Sequence, residues 1–388
     1  MNKNVCAIFV TFHPDENFRL NFQRLYPQVG RVIIVDNGSS PREIEFLKSC
    51  MQGCLESELI QNGWNLGIAT ALNIGVRSAL ARGFEWVVTF DQDTLPSSGM
   101  IDIMLKAYAA SDLKDKIGLL APAYYDQKTG YRGRLMARES KDLFITEMVY
   151  NSGSLIRTEL FSKVSFFDDD LFIDYVDTDF CLKIRKAGYY SVVVPQAIIG
   201  HCEGNIEMRH FRFLSFFVHN YSPSRRYYKA RNMMVIYRRH FSIVPRWMWV
   251  DLQFVIKDLI KMLLFETQRW QKLKATFTGV IDGLLSRMGS MEGVVYKRPK
   301  AEKYFVEERE EIFPMLPSYC ARVLDLGCGT GKTSQTLKKT GRVGWVCGVE
   351  GSPEAAAAAR ECLDQVVEGD IEKLNIHFQM SHLMPFYF

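Results

Sequence analysis

The sequence predicts an α/β fold on a mostly parallel sheet, then a helical region, then a second and incomplete α/β unit. Three observations predict it. Short β-branched runs alternate with helical patterns from Val5 to about Gly204, and the strand signal then fades from about His210 to Met291. At Ala321 an apolar strand followed by a glycine-rich turn restarts the alternation. The expected boundaries are an α/β unit over 1–208, a helical extension over 209–295, a linker over 296–320 and the incomplete unit over 321–388.

Six runs carry the strand signal of the first unit: Val5–Thr11, Val32–Val35, Leu59–Gln61, Trp86–Phe90, Ile117–Pro122 and Ser191–Pro195. Apolar runs of this kind suit strands covered on both faces, as in a parallel sheet between helices. Helical spacing, such as that of Ile101–Ala110, lies between them. Further on, Phe241–Phe265 is apolar but carries Arg246, Lys257 and Lys261 together with Trp247 and Trp249. Charges through its length argue against a membrane span. Two readings stay open there: an amphipathic segment in a membrane interface, or a helix packed on the first unit.

With 388 residues, 47% hydrophobic and 24% charged, the composition excludes a disordered or collagen-like chain. A net charge of +4 is too small to argue for nucleic acid. It is concentrated, however, between Arg225 and Arg246, where basic residues run almost without acids and form an anion-attracting surface. Nine cysteines without a CxxC pair, in a chain of this size, point to a reducing compartment. The N-terminus shows no signal-peptide pattern, so a cytoplasmic protein is expected.

Acids at strand ends carry the chemistry. Ile33–Val35 leads into Asp36 and a Gly38-Ser39 turn, and Trp86–Phe90 leads into Asp91-Gln92-Asp93. Ligands of open α/β sheets collect at the carboxyl ends of strands. Residues two apart on an extended chain point the same way, so Asp91 and Asp93 can address one hard cation. Such an ion fills its shell with substrate phosphates and stabilises a departing diphosphate. A third acidic group holds Asp177 and Asp179, which open a helix. There a carboxylate is either a dipole and capping residue or a general base. His201 follows a further strand; a lone histidine is usually structural, but the Asp-x-Asp run makes it a candidate metal ligand.

In order, Val10-Thr11-Phe12, Val35–Ser39, Asn65–Gly75, Asp91-Gln92-Asp93, Asn151-Ser152-Gly153, Asp177-Thr178-Asp179 and His201 resemble glycosyltransferase family 2. Within that family the sequence is most similar to bacterial rhamnosyltransferases of surface-polysaccharide assembly, over about residues 4–290. The resemblance implies a GT-A nucleotide-diphospho-sugar transferase fold with a helical C-terminal extension. It implies inverting, Mg²⁺- or Mn²⁺-dependent transfer of L-rhamnose from dTDP-L-rhamnose to a lipid-linked saccharide of O-antigen or capsule assembly. The chain would then sit on the inner face of the plasma membrane, with no nucleic-acid partner.

Position by position, the resemblance makes Thr11, Asp36, Asn65, Gly67, Asn73 and Asp91 donor-binding residues, with Asp36 on the nucleotide base. Asp93, Asp91 and His201 would hold the metal. Asp177 matches the second acid of the family's Glu-Asp motif and would be the base. Val176 stands where the family has the first acid, which leaves Asp179 as a rival. Asn151 and Gly153 fall on the acceptor side. So do Arg231 and Asn232, through the Tyr228-x-x-Arg231-Asn232 run, whose bases would face a polyprenyl-diphosphate acceptor and the anionic leaflet or else be solvated helix charges.

The second unit opens with Val323-Leu324-Asp325-Leu326-Gly327-Cys328-Gly329, which is similar to motif I of class I S-adenosylmethionine methyltransferases. Glu350 resembles the acid that takes the ribose hydroxyls, and Asp370 the adenine-contacting acid. S-adenosylmethionine would thus bind at Asp325, Gly327, Gly329, Glu350 and Asp370. The expected unit is a partial Rossmann-like domain, too short for methyl transfer.

Other readings remain. One is a hexosyltransferase using a UDP-sugar; a second is chiefly a glycan methyltransferase with an inactive transferase domain; a third is a non-catalytic glycan-binding scaffold. The set Asp36, Asp91, Asp93 and Asp177 argues against the second.

Overall fold

The computed structural model describes residues 2–126, 143–201, 207–211, 214–289, 317, 319–351, 353–369 and 384–386. The chain divides into two compact units, Met1–Met291 and Glu292–Phe388.

The first four predicted runs become β1 (Asn2–Thr11), β2 (Val29–Asp36), β3 (Ser57–Gln61) and β4 (Trp86–Asp91). Between them lie α1 (Asn17–Leu25), α2 (Pro41–Met51) and α3 (Ile68–Ala81). The chain continues through β5 (Thr94–Pro96), α4 (Met100–Ala109), β6 (Ile117–Asp126), β7 (Phe144–Thr146) and β8 (Leu155–Arg157). Then come α5 (Leu160–Val164), α6 (Val176–Lys186) and the long β9 (Tyr190–His201).

The strands order as β3-β2-β1-β4-β8-β6-β9-β5, with β7 added against β9. From β3 to β4 all pairings are parallel. Beyond β4 the sheet is mixed: β8 runs antiparallel to β4 and β6, and β5 and β7 antiparallel to β9. The expectation of a mostly parallel sheet therefore describes only one half. The antiparallel strands β5, β7 and β8 have three residues each, too few to show a period in sequence.

Side chains of β1 alternate between two cores, as the two-residue repeat of a strand requires. Ile8 and Val10 pack with Leu72, Val76 and Phe180, while Ala7 and Phe9 pack with Phe18, Leu47 and Phe90. Helices thus cover both faces, and polar chemistry is left to the strand ends. The pairings Thr11↔Asp36 and Val10↔Asp91 set three such ends side by side. Here β1 is flanked by β2 on one side and β4 on the other, the kind of switch point at which open sheets bind ligands.

A hairpin of β10 (Glu207–Phe211) and β11 (Leu214–Val218) precedes the helices α7 (Pro223–His240), α8 (Pro245–Phe265) and α9 (Arg269–Leu284). Ser222 caps α7 by accepting from the Arg225 N–H, with Pro223 at the first helical position. A β-carbon on Gly279 would come within 2.3 Å of the Tyr227 carbonyl oxygen, and one on Gly283 within 2.5 Å of that of Arg231. Only glycine lets α9 cross α7 at backbone contact. No helix among the described residues is long and apolar enough to cross a membrane.

In the second unit β12 (Cys320–Leu326), α10 (Lys332–Lys339), β13 (Val343–Glu350), α11 (Pro353–Ala359), β14 (Gln365–Glu368) and β15 (Met384–Phe386) follow one another. The strands form a parallel sheet ordered β14-β13-β12-β15.

Candidate active site

The Asp-x-Asp turn is fixed by the residue between its acids. Gln92 accepts from the Phe12 N–H at 2.7 Å and donates to the Phe12 carbonyl at 3.1 Å, while Asn21 donates to the Gln92 carbonyl at 2.8 Å. The ends of β1 and β4 therefore move as one piece. The Asp91 N–H donates to Ser152 Oγ at 3.0 Å, and Ser152 donates to Thr94 at 2.7 Å. Gly153 N–H donates to the Thr89 carbonyl at 2.7 Å, and the Thr89 hydroxyl donates to the Asn151 carbonyl at 2.6 Å. These bonds bring Asn151 and Gly153 to the end of β4, and they leave the buried Asn151 Nδ2 without a hydrogen-bond partner.

Asp177 stands in the first turn of α6 and keeps part of its surface open. The packing around it desolvates the carboxyl and pushes it up to about 6, although the Thr178 N–H donates to it at 2.8 Å. The negative charges of Asp174 and Asp91 add to the rise. Arg225 from α7 answers them, donating to both Asp174 oxygens at 3.3 Å. Burial works against its charge, but Asp174, and further off Asp91, hold Arg225 firmly protonated. The structure thus gathers Asp91 from β4, Asp174 and Asp177 from the approach to α6, and Arg225 from α7. In the sequence Arg225 stands out only as part of the basic Arg225–Arg246 stretch, and Asp174 lies within a longer acidic run.

Asp179 is engaged elsewhere. Fully buried, it lies 3.0 Å from His240 Nε2 and 2.7 Å from Lys183 Nζ, with Arg239 at 3.7 Å. Burial alone would raise its carboxyl, but the His240 hydrogen bond and the Lys183 charge outweigh it and hold the group below the usual carboxylate range. Its role is to join α6 to the end of α7, which removes it as a rival base.

Three further expectations, for Arg231, Asn232 and Asn73, are corrected. Arg231 and Asn232 do not face an acceptor: both are fully buried. Arg231 donates to the carbonyls of Asp170 (2.9 Å), Leu171 (3.1 Å) and Gly289, and packs against the Tyr227 and Tyr228 rings. Asn232 donates to the carbonyls of Leu171, Ile173 and Asp174 at 2.8 to 2.9 Å. Asn73, expected in a nucleotide pocket, is buried and pairs with both the N–H (3.0 Å) and the carbonyl (2.8 Å) of Phe167 and with Asp169 (2.7 Å). Asp36, expected on a nucleotide base, accepts from the Thr11 hydroxyl, the Ser39 hydroxyl and the Gly38 and Ser39 N–H groups at 2.5 to 3.0 Å. These four bonds set Asp36 and Thr11 together at the neighbouring ends of β2 and β1.

What these buried amides and guanidinium hold is the segment before Asp177. Phe172, Asp174 and Tyr175 all have φ near +60°, a region that costs energy for residues with side chains. The Ile68 N–H also donates to the Phe172 carbonyl at 2.7 Å, and Phe172 stacks on Tyr228 at 4.9 Å. Gly67, at φ +85°, touches Phe172 so closely that a β-carbon would lie 2.6 Å from its ring. Asn65 accepts from the Gly67 N–H at 2.9 Å and from Asn37 at 3.1 Å, which shapes that contact.

His201 ends β9, its backbone in register with Thr94 beside Asp93 and with Asp126; its side chain lies outside the described residues. Among the described residues no group of three or more His, Cys, Asp or Glu side chains forms a metal cage. A divalent cation that relies on one or two carboxylates and on substrate phosphates needs no such cage, and Asp91 and Asp93 supply the hard oxygen donors it prefers.

In the second unit Glu350 is buried and accepts from the Gly329 N–H at 3.0 Å, while Asp325 accepts from Ser334 at 2.6 Å. Gly327 N–H donates to the Val349 carbonyl at 2.8 Å. Asp325, Gly327, Gly329 and Glu350 thus converge at the ends of β12 and β13, and Asp370 lies outside the described residues.

Residues 20–165 match the glycosyl transferase family 2 model, and residues 323–383 match a methyltransferase domain model. The chain is 28% identical over 300 residues to the dTDP-rhamnosyl transferase RfbF of Shigella flexneri, covering 73% of this chain and 96% of that protein. It is 25% identical over 232 residues to the N-acetylglucosaminyl-diphospho-decaprenol L-rhamnosyltransferase of Mycobacterium tuberculosis, covering 50% and 75% respectively. Among solved structures, S. aureus TarS 1–349 is similar with a TM-score of 0.44 and 12% identity, over 81% of this chain and 77% of that one. GalNAc-T7 gives a TM-score of 0.45 and 12% identity over 60% and 47%. With the match over 20–165 and the rhamnosyl transferase relative, the chain carries a glycosyltransferase family 2 domain and is a glycosyltransferase, followed by a methyltransferase-domain segment at 323–383.

Proposed function

We propose that the chain transfers L-rhamnose from dTDP-L-rhamnose to a lipid-linked saccharide of surface-polysaccharide assembly, with inversion, at the inner face of the plasma membrane. The donor and the lipid-linked acceptor are taken from the two rhamnosyltransferase relatives, one named for dTDP-rhamnose and the other for a diphospho-decaprenol. One observation carries the mechanism: Asp177 opens α6 with part of its surface exposed, where the charges of Asp174 and of Asp91 from the end of β4 bear on it.

Inversion needs a base on the acceptor side and charge stabilisation on the leaving side. Asp177 takes the proton of the attacking hydroxyl; its raised carboxyl lies near working pH, where a general base is most effective. Arg225 holds Asp174 and keeps the approach to α6 in place. On the leaving side Asp91 and Asp93, with His201 close in register, would hold a Mg²⁺ or Mn²⁺ ion, which when bound neutralises charge on the diphosphate. Asn151, with its unpaired amide nitrogen, is the acceptor-side group best placed to donate to a sugar hydroxyl.

A panel of nucleotide sugars read by thermal shift, with and without Mg²⁺ or Mn²⁺, tests this reading, because a ligand of the native state raises the melting temperature. The expected result is a metal-dependent rise with dTDP-rhamnose above the UDP-sugars. A larger rise with a UDP-sugar would name another hexosyl donor. The segment at 323–383 makes S-adenosylmethionine a second ligand to include, since Glu350 and Asp325 converge there. Response to it alone would favour the methyltransferase reading.

A further inference from the structure

Helices α8 and α9 carry their apolar side chains on the wrong face for a helix in water. A surface helix turns its apolar stripe to the core and its polar face to solvent. On α9 the buried positions Lys272, Gly279 and Gly283 lie against α7. At 100° per residue, Trp270, Phe277 and Ile281 fall on the opposite face, and Trp270 and Phe277 are 77% and 67% exposed. On α8, Met248 and Met262 mark the buried side, while Trp249, Ile256, Ile260 and Leu264 recur on the outer one. Among the described residues, two consecutive helices therefore each present an unpartnered apolar stripe that begins with a tryptophan.

The charges sort in the same direction. The acids all point inward: Asp251 accepts from Tyr175 and Tyr237, Asp258 pairs with Arg226, and Asp282 accepts from Tyr227. Glu266, just after α8, is fully buried between Arg226 and Lys272, at 2.7 Å from each. What remains exposed among the charged residues of α8 and α9 is basic: Arg246, Lys257, Arg269 and Lys274. An outer face of aromatic and aliphatic side chains with cations and no acids is complementary to one surface above others, an anionic bilayer.

We infer that the outer faces of α8 and α9 dock this chain in the interfacial plane of an anionic lipid leaflet. The inference deepens the proposed function, on which it rests for the lipid-linked acceptor. The apolar stripes enter the boundary between headgroups and acyl chains, and Arg246, Lys257 and Lys274 face the lipid phosphates. Because the Arg226 ion cluster and Asp251 tie both helices to α7 and α6, the docked face is rigidly joined to the residues that hold Asp177 in place.

The test is flotation of the full chain with phosphatidylcholine vesicles and with vesicles that also contain phosphatidylglycerol. The chain should float with the anionic vesicles, less so at high salt, and remain behind with the neutral ones. I256E/I260E on α8 and F277E/I281E on α9 should each lower the bound fraction. The charge reversal K257E/K274E, which leaves the apolar stripes intact, should weaken binding to anionic vesicles about tenfold or more. Thermal shift with the nucleotide sugar should be the same in all three variants, which separates a failure of docking from a failure of the proposed donor. No flotation with either vesicle, or flotation of the glutamate variants equal to that of the parent chain, would overturn the inference. So would a lipid-free dimer that these variants convert to monomer, since the face would then belong to a second copy.

Discussion

The hydroxyl of Tyr175 donates to Asp251 Oδ2 at 2.7 Å, and so joins the residue that precedes α6 to the middle of α8. Tyr237 donates to the same oxygen at 2.8 Å. Tyr175 sits at φ +63° two residues before Asp177, so this oxygen helps to fix where α6 begins. Burial, then the charge of Asp251, push both phenols up, so both stay donors at any working pH. Asp251→Ala leaves the hydroxyls of buried Tyr175 and half-buried Tyr237 without their acceptor and should cost about 3 to 6 kcal/mol, the sum of two hydrogen bonds to a charged group. Thermal denaturation measures it. Asp251→Asn keeps one acceptor oxygen and should lose less.

Asn232 supplies the second restraint. Replacing it with Ala takes the amide from the carbonyls of Ile173 and Asp174, and from that of Leu171, which keeps Arg231, so the strain at Phe172, Asp174 and Tyr175 is opposed less. The expected loss is about 1 to 3 kcal/mol of stability. Because the segment positions the base and not the donor, kcat should fall while KM for the nucleotide sugar changes little. Arg231→Lys should behave alike, since an ammonium cannot span the Asp170, Leu171 and Gly289 carbonyls as a planar fork does.

These two residues also mark where the sequence stopped being readable. The order of motifs pointed to the family whose model matches residues 20–165, and the strand-end acids Asp36 and Asp91 lie on either side of the end of β1. The Tyr228-x-x-Arg231-Asn232 run was seen, but its direction was not. A basic residue in a charged helix reads as exposed, and only packing shows that Arg231 points inward onto carbonyls 60 residues away in sequence. Asn73 was misplaced for the same reason: polar side chains look like ligand contacts until the backbone groups they satisfy are known. The gathering of Asp174 and Arg225, 51 residues apart, is likewise a product of the fold. Short strands such as β5 and β8 had no period to read.

Asp179→Asn should act on stability. Removing the charge of buried Asp179 leaves Lys183 uncompensated and His240 without its carboxylate partner, at a cost of about 3 to 5 kcal/mol. Since the Asp179 carboxyl is depressed in the folded chain, its stabilisation is full above the ordinary carboxylate range. It is lost as pH falls through the depressed value, so acid unfolding of the parent chain should begin there, and the variant should lack that step.

Asp177 has the opposite sign. Raised from an ordinary 3.8 to about 6, it binds a proton in the folded chain that the unfolded chain has already released between those values. Its contribution to stability is therefore full below about pH 4 and declines as pH rises through 6. Transfer needs the ionised form, so the acid limb of kcat/KM, which reports the free enzyme, should rise with an apparent pKa near 6, while stability from this group falls across the same window.

The most direct measurement compares Asp177→Asn with Asp179→Asn for transfer from the nucleotide sugar and, separately, for donor binding by thermal shift. Asp177→Asn should abolish transfer, keep donor binding and remain at least as stable as the parent chain near neutral pH. Asp179→Asn should lose stability while retaining transfer at temperatures where it is folded. Near-parental transfer by Asp177→Asn would contradict the account, because no other ionised carboxylate in the first turn of α6 is free of an ion pair to take its place.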